Sequence, residues 1–244
     1  MQSLKKRLDI DFFSGEIILI DKPLNWTSFD VVKKIKNLIR NATGAKKIKI
    51  GHAGTLDPLA TGLMILCTGK ATKKLTHMQL EDKVYQASFC FGATTPSFDL
   101  ETEINEKYSV EHISKNLIEK TIRENFTGDI KQVPPIFSAK SINGKRAYNL
   151  ARKGETAKLE PVSIHIKNFE ILEYDFPEVI FQIECSKGTY IRSLAHDLGR
   201  QLNSGAYLSG LQRMTSGNFH IKDAVTISEF EKILKNLNKT INNP

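Results

Sequence analysis

The densest concentration of unusual residue types in this 244-residue chain is Gly51-His52-Ala53-Gly54-Thr55-Leu56-Asp57-Pro58-Leu59-Ala60-Thr61-Gly62. Three glycines and a proline determine a backbone tightly, and here they surround one carboxylate, Asp57, and one imidazole, His52. A carboxylate held in a fixed pose can attack carbon or remove a proton. The plain alternative is a turn in which Asp57 hydrogen-bonds its own backbone. A nucleosidase or glycosidase would need a second, acid carboxylate, and the motif holds none. Arg192 is the other pointed choice, because arginine is scarce, eight against 27 lysines. A carboxylate shut away from water tends to protonate unless an opposite charge holds it ionised, and a guanidinium can do so bidentately.

The remaining chemistry is bounded by what the spacings exclude. Cys67, Cys90 and Cys185 form no CxxC pair, and the six histidines show no HExxH pattern. A structural metal and a disulfide framework are both disfavoured, and a reducing cytoplasm fits. Residues 1–13 contain no apolar run suited to a signal peptide. No window approaches the roughly 18 apolar residues of a membrane span. The expectation is a soluble, unexported, cytoplasmic protein.

The elements that must position these groups follow from periodicity. A short apolar run over 16–20, stopped at Asp21-Lys22-Pro23, reads as a buried strand. Ser28 is the expected cap of a helix over 30–40, with Val31, Val32, Ile35, Leu38 and Ile39 at helical spacing. Residues 63–67 read as a short strand, and residues 84–91 alternate, with Tyr85, Ala87, Phe89 and Phe91 on one face. Ser109 is the expected cap of a helix bearing Val110, Ile113, Leu117, Ile118 and Ile122. Asn143-Gly144 predicts a tight turn, followed by a short helix over 146–152 ending at Gly154. Strands over 162–173 and 179–185 precede a helix from about Thr189, and a last helix spans 228–237. Irregular mixing of strands and helices predicts an α/β chain of the α+β type: a mixed, largely antiparallel sheet decorated by helices and loops. Its 40% hydrophobic and 25% charged composition is that of an ordinary globular protein.

The net charge of +8 is unevenly spread. Residues 131–158 carry seven cations (Lys131, Lys140, Lys145, Arg146, Arg152, Lys153 and Lys158) against Glu155 alone, whereas residues 81–130 carry ten acids against five bases. The basic segment reads as a projecting hairpin and helix able to follow a phosphate backbone, or as a solvated lysine-rich face.

GHAGTLDPLATG closely resembles motif II of the TruB family, the tRNA pseudouridine-55 synthases. Other stretches agree with that family in order. Asp21-Lys22-Pro23 with Thr27-Ser28 resembles its DKPxGxTS element, with Asn25 where glycine is usual; Asn is the best non-glycine residue for a left-handed backbone. Lys83-Val84-Tyr85 looks like the strand bearing the family's stacking tyrosine, and Gly92, Thr95, Ser97 and Asp99 keep the spacing of its GxxTxTxD turn. Val133-Pro134-Pro135, Ser138-Ala139, Gly144 and Ala151-Arg152-Lys153-Gly154 resemble the RNA-gripping thumb. Lys187-Gly188-Thr189-Tyr190-Ile191-Arg192 is similar to the motif that supplies a tyrosine and an arginine. Leu211 and Arg213 fall in its LRR element, with Gln212 in place of an arginine.

The resemblance covers roughly residues 15–220 and implies a pseudouridine synthase fold. It also implies an isomerase that converts a T-loop uridine of tRNA by base flipping. The N1–C1′ bond breaks, the uracil turns, and C5 joins C1′. No electrons are gained or lost, so no redox cofactor is needed, and no metal is expected. The acting carboxylate would be Asp57; attack on C1′, attack on C6 and abstraction of the C2′ proton all remain open. Tyr85 would stack on the uracil, and Tyr190 would pack beside it near Asp57. Arg192 would hold the carboxylate, His52 would fill space vacated by the extruded base, and Leu211 would wall the pocket. Lys22 would touch phosphate or support the loop. Lys140, Lys145, Arg146, Arg152 and Lys153 would grip RNA from the thumb.

The expected organisation is a catalytic domain over 1–225, with its thumb at about 131–158, and a helical tail over 226–244. No PUA-type domain is expected. The expected partner is the tRNA T-arm, with no membrane and no obligate protein partner. A non-catalytic tRNA-binding or tRNA-folding protein of the same fold is the competing class. It predicts loss of Asp57 or Arg192, and the chain has both.

Overall fold

The computed structural model describes residues 10–137, 141–142, 145–146 and 159–242. The chain divides into two compact units, one of residues 1–83 with 212–244 and one of residues 84–211.

In the first unit, strand β1 (Ile17–Lys22) pairs antiparallel with β3 (Ala60–Thr68). The short β2 (Ile50–His52) also pairs antiparallel with β3, setting His52 opposite Leu66. Helix α1 (Ser28–Thr43) buries Val31, Ile35 and Ile39 against Ile18, Ile20, Met64 and Phe230. It packs beside the C-terminal helix α5 (Ile227–Asn242). Its N-cap is Thr27 rather than the expected Ser28. The Thr27 hydroxyl accepts from the Asp30 N–H while the Asp30 carboxylate accepts from the Thr27 N–H, a complete capping box. Gly44 closes the helix in the left-handed conformation, at φ 69°. A 3-10 turn over Gly69–Lys74 and the short helix α2 (Leu75–Leu80) follow β3; the sequence reading assigned neither.

In the second unit, β4 (Lys83–Phe91) shows the expected alternation, with Tyr85, Ala87, Phe89 and Phe91 all buried. The hairpin β5 (Ala93–Thr94) and β6 (Glu106–Lys107) leads to helix α3 (Lys115–Asn125). That helix is capped by Ser114, not by the expected Ser109, whose carbonyl instead accepts from the Ser204 hydroxyl. Strand β10 (Val162–Asp175) lies antiparallel between β7 (Gly128–Gln132) and β11 (Glu178–Cys185). Phe89, Phe169 and Phe181 fill the centre, with ring centroids 4.8 to 6.0 Å apart. Helix α4 (Ile191–Gln201) buries Ile191, Leu194, Ala195 and Leu198 as its periodicity predicts.

Strand β12 (Ala206–Ser216) contributes its first residues to the second unit and its last to the first, where β13 (Phe219–His220) pairs with its end. The sequence reading made no strand of it. The expected α+β class with a largely antiparallel sheet is what the chain forms. Of the thumb, β8 (Ser141–Ile142) and β9 (Lys145–Arg146) pair antiparallel and bracket the expected turn. Lys140, Arg152, Lys153 and most of the helix expected over 146–152 lie outside the described residues, as do the side chains of Lys145 and Arg146.

Candidate active site

Asp57 sits in the loop between β2 and β3, and the first unit holds that loop through its backbone. Six hydrogen bonds tie residues 53–58 to the surrounding unit. Ala53 N donates to Ile65 O, and Leu56 N donates to Ser28 Oγ, which in turn donates to Leu56 O. Asn25 N and Lys22 Nζ both donate to Pro58 O, and Arg213 Nη2 donates to Gly54 O. These six fastenings act on the main chain either side of Asp57.

Three of those fastenings were hidden in the sequence. Ser28 is freed from capping by Thr27 and turned inward to Leu56. Asn25 adopts φ 64°, the left-handed geometry expected of it, and so aims its N–H at Pro58. Arg213 is 1% exposed, and its Nε donates to Leu63 O at 2.7 Å. Gly62 makes room for the strand that carries Arg213: at φ 97°, a Cβ there would stand 2.5 Å from Arg213 O. The scarcity of arginine that singled out Arg192 applied equally to Arg213.

Lys22 is fully buried, with Nζ donating to the carbonyls of Pro23, Trp26 and Pro58. Burial pushes its ammonium down to about 8, opposed by the pull of Asp57. Of the two roles expected for Lys22, phosphate contact and loop support, this burial fits loop support. His52 is half-buried; desolvation chiefly, and then the nearby Arg213 charge, lower its pKa and favour the neutral ring. No hydrogen-bond partner meets its buried Nδ1 among the described residues.

In the second unit, Arg192 is 4% exposed at the start of α4. Its Nε lies 3.6 Å from the Asp99 carboxylate, Nη2 donates to Phe137 O at 2.9 Å, and Nη1 donates to Ser97 O at 3.3 Å. Asp99 was noted in the sequence only as part of a turn, and here it is a buried counter-ion. The turn presenting it puts Phe98 at φ 64°, with that ring stacked 3.9 Å from the imidazole of His196. Tyr190 is half-buried, its backbone clamped by Gln132: Tyr190 N donates to Oε1 at 2.8 Å and Nε2 donates to Tyr190 O at 3.0 Å. Tyr85 is buried on β4 and Leu211 is half-exposed on β12.

A sequence model of the TruB family pseudouridylate synthase N-terminal domain matches residues 40–191. The chain belongs to the TruB family. A second model, of the tRNA pseudouridylate synthase B C-terminal domain, matches residues 192–243. The TruB-family relatives include tRNA pseudouridine synthase B of Phocaeicola vulgatus, 52% identical across 92% of this chain and 95% of that protein. They also include tRNA pseudouridine synthase B of Flavobacterium johnsoniae, 50% identical across 92% of this chain and 98% of that one. Among solved structures, a Cbf5–Nop10–Gar1 complex matches with TM-score 0.68 and 26% identity. It covers 95% of this chain, which spans 58% of the chain it matches. An H/ACA RNP bound to a substrate RNA containing 2′-deoxyuridine matches with TM-score 0.65 and 25% identity, over 95% of this chain and 57% of that one.

Proposed function

We propose that this chain is an isomerase that converts the T-loop uridine at position 55 of tRNA to pseudouridine, with Asp57 as the acting carboxylate. The observation that carries the reading is a TruB-family loop whose main chain is fastened on both sides of Asp57, which fixes where its carboxylate is presented. Relatives named tRNA pseudouridine synthase B, identical at about half of all positions, support tRNA as the substrate.

The other roles follow from chemistry. Tyr85 offers a ring on which a flat uracil can turn in plane, and Tyr190 and Leu211 wall the base. Arg192 supplies the cation that keeps a carboxylate ionised once water is excluded. His52, kept neutral by burial, can stack in the space the base leaves. Lys22 acts through Pro58 and is a positioning residue. The cations of residues 131–158 supply phosphate contacts. The reading places catalysis in residues 1–225 and the enzyme in the cytoplasm, acting without an obligate protein partner.

The test is incubation of the purified chain with unmodified tRNA and mapping of the product by mass spectrometry. Pseudouridine in the T-loop is expected from the wild type. The Asp57→Asn variant should yield none while retaining tRNA affinity. Released uracil would identify a nucleosidase, and tight binding without any product would identify the non-catalytic class.

A further inference from the structure

We infer that the solvent face of α1 and the loop after it form a second RNA-backbone surface in the first unit, separate in sequence from the thumb. Residues 28–49 carry Lys33, Lys34, Lys36, Arg40, Lys46, Lys47 and Lys49 against Asp30 alone, a net +6. The thumb segment is also +6, so the two together exceed the whole chain's +8 and the rest of the chain is net negative.

The arrangement is not that of an ordinary solvated helix. Such helices usually alternate charge, so that acids and bases four apart attract. In α1 the spacings Lys33 to Lys36 and Lys36 to Arg40 bring like charges together, each unfavourable by roughly 0.2–0.5 kcal/mol in an isolated helix. Asp30, which also accepts from the Thr27 N–H and hydroxyl, attracts Lys33, and Glu231 on α5, paired with Lys235 at 2.9 Å, attracts Lys34, so two acids offset only part of seven cations. Among the described residues, no carboxylate stands within 4 Å of any of these seven cations. The repulsion is tolerated because α1 is anchored by its capping box and by Val31, Ile35 and Ile39, all fully buried. A polyanion laid along this face would relieve it.

A second feature lies on the same face. A surface hollow of about 360 Å³ is lined by Asn25, Trp26, Asp30, Lys33, Lys34 and Asn37. An indole, two amides and two ammonium groups suit a ribose–phosphate segment with a base edge against the ring. Phe29 beside it is 71% exposed, and Leu24 is 52% exposed. The surface is also coupled to the catalytic loop: Ser28 at the head of α1 is hydrogen-bonded to Leu56, and Lys49 leads through β2 to His52.

This proposal rests on tRNA being the substrate, and the experiment separates the two. Trp26 is the chain's one tryptophan, so its fluorescence reports the hollow directly. Lys33→Ala, Lys34→Ala and Arg40→Ala are combined in the full chain, with Lys33→Glu and Lys34→Glu as a second variant. Both alter exposed positions and should keep the wild-type Tm. With unmodified tRNA, the triple variant should bind roughly tenfold or more weakly at low salt. Its slope of log K against log salt should be shallower by about 2 to 3, at roughly 0.7–0.9 per lost phosphate contact. The wild-type Trp26 signal should change on tRNA addition and return at high salt, and the rate constant for bound substrate should hold. A wild type that binds and modifies tRNA, beside a triple variant of unchanged slope and an indifferent Trp26, would overturn this proposal alone. A wild type that neither binds nor modifies tRNA would remove the functional reading and this proposal with it.

Discussion

At the scale of single residues, Lys22 shows how a charge can support the Asp57 loop from inside the protein. Its ammonium is completely buried and shared among three carbonyls, one of them Pro58, the neighbour of Asp57. Removing a cation from water is costly, and burial lowers its pKa from 10.5 to about 8 against the pull of Asp57. The folded state binds the proton less tightly than the unfolded chain does. Lys22 therefore weakens folding below about pH 8 and ceases to do so as pH rises toward 10.5. Thermal melts of wild type and Lys22→Met between pH 7 and 10 should diverge, the wild type gaining relative stability above pH 8. Parallel curves would show that the ammonium is better solvated than its burial implies. The sequence named Lys22 through its family motif but could not choose between phosphate contact and loop support, because the choice depends on the distant Pro58 carbonyl converging with those of Pro23 and Trp26.

At the scale of elements, the sequence reading succeeded where a periodic apolar pattern was long and failed where two equivalent residues competed. Strand β4 and helix α4 were legible because burial alone decides their faces. Both expected helix caps were misplaced, since Thr27 and Ser28 are adjacent good caps and Ser109 and Ser114 are both serines. Tertiary partners decided: Leu56 takes Ser28, and Ser204 takes the Ser109 carbonyl. Strand β12 was missed because Gly205 and Gly210 look like breaks. At Gly210 the chain runs close to β4, and a Cβ there would lie 3.3 Å from Ser88 Oγ. Gly62 is the sharper case, set at φ 97° with Arg213 backbone atoms 2.5 and 2.7 Å from a virtual Cβ. Gly62→Ala must push β3 away from Arg213, which also fastens Gly54. It should cost a few kcal/mol, lowering Tm by roughly 5–12 °C in a chain of this size. Turnover should fall further than the loss of folded protein explains. Activity per folded molecule equal to wild type would show that the Gly54–Arg213 link is irrelevant to the pose of Asp57.

At the scale of the whole molecule, the distribution of charge is more informative than its sum. Two segments of +6 on a chain of +8 leave the rest of the chain at a net −4, so the positive charge that could attract RNA is concentrated in those segments. The thumb was legible from sequence as a run of cations around an Asn-Gly turn. The α1 surface was not, because its cations are interleaved with the core-facing Val31, Ile35 and Ile39 and read first as one amphipathic helix. If both grip RNA through different phosphates, the counterions that each releases add, and so should their contributions to the salt slope. Replacing Lys140, Lys145, Arg146 and Lys153 with alanine removes up to four phosphate contacts. It should flatten the slope of log K against log salt by about 3, while the rate constant for bound tRNA changes little. Combined with the α1 triple variant, the reductions in slope should sum. An isolated T-arm hairpin should remain a substrate of the thumb variant at low salt, where fewer contacts suffice. A slope that the thumb variant leaves unchanged would reduce those four side chains to a solvated face and leave α1 as the principal electrostatic grip.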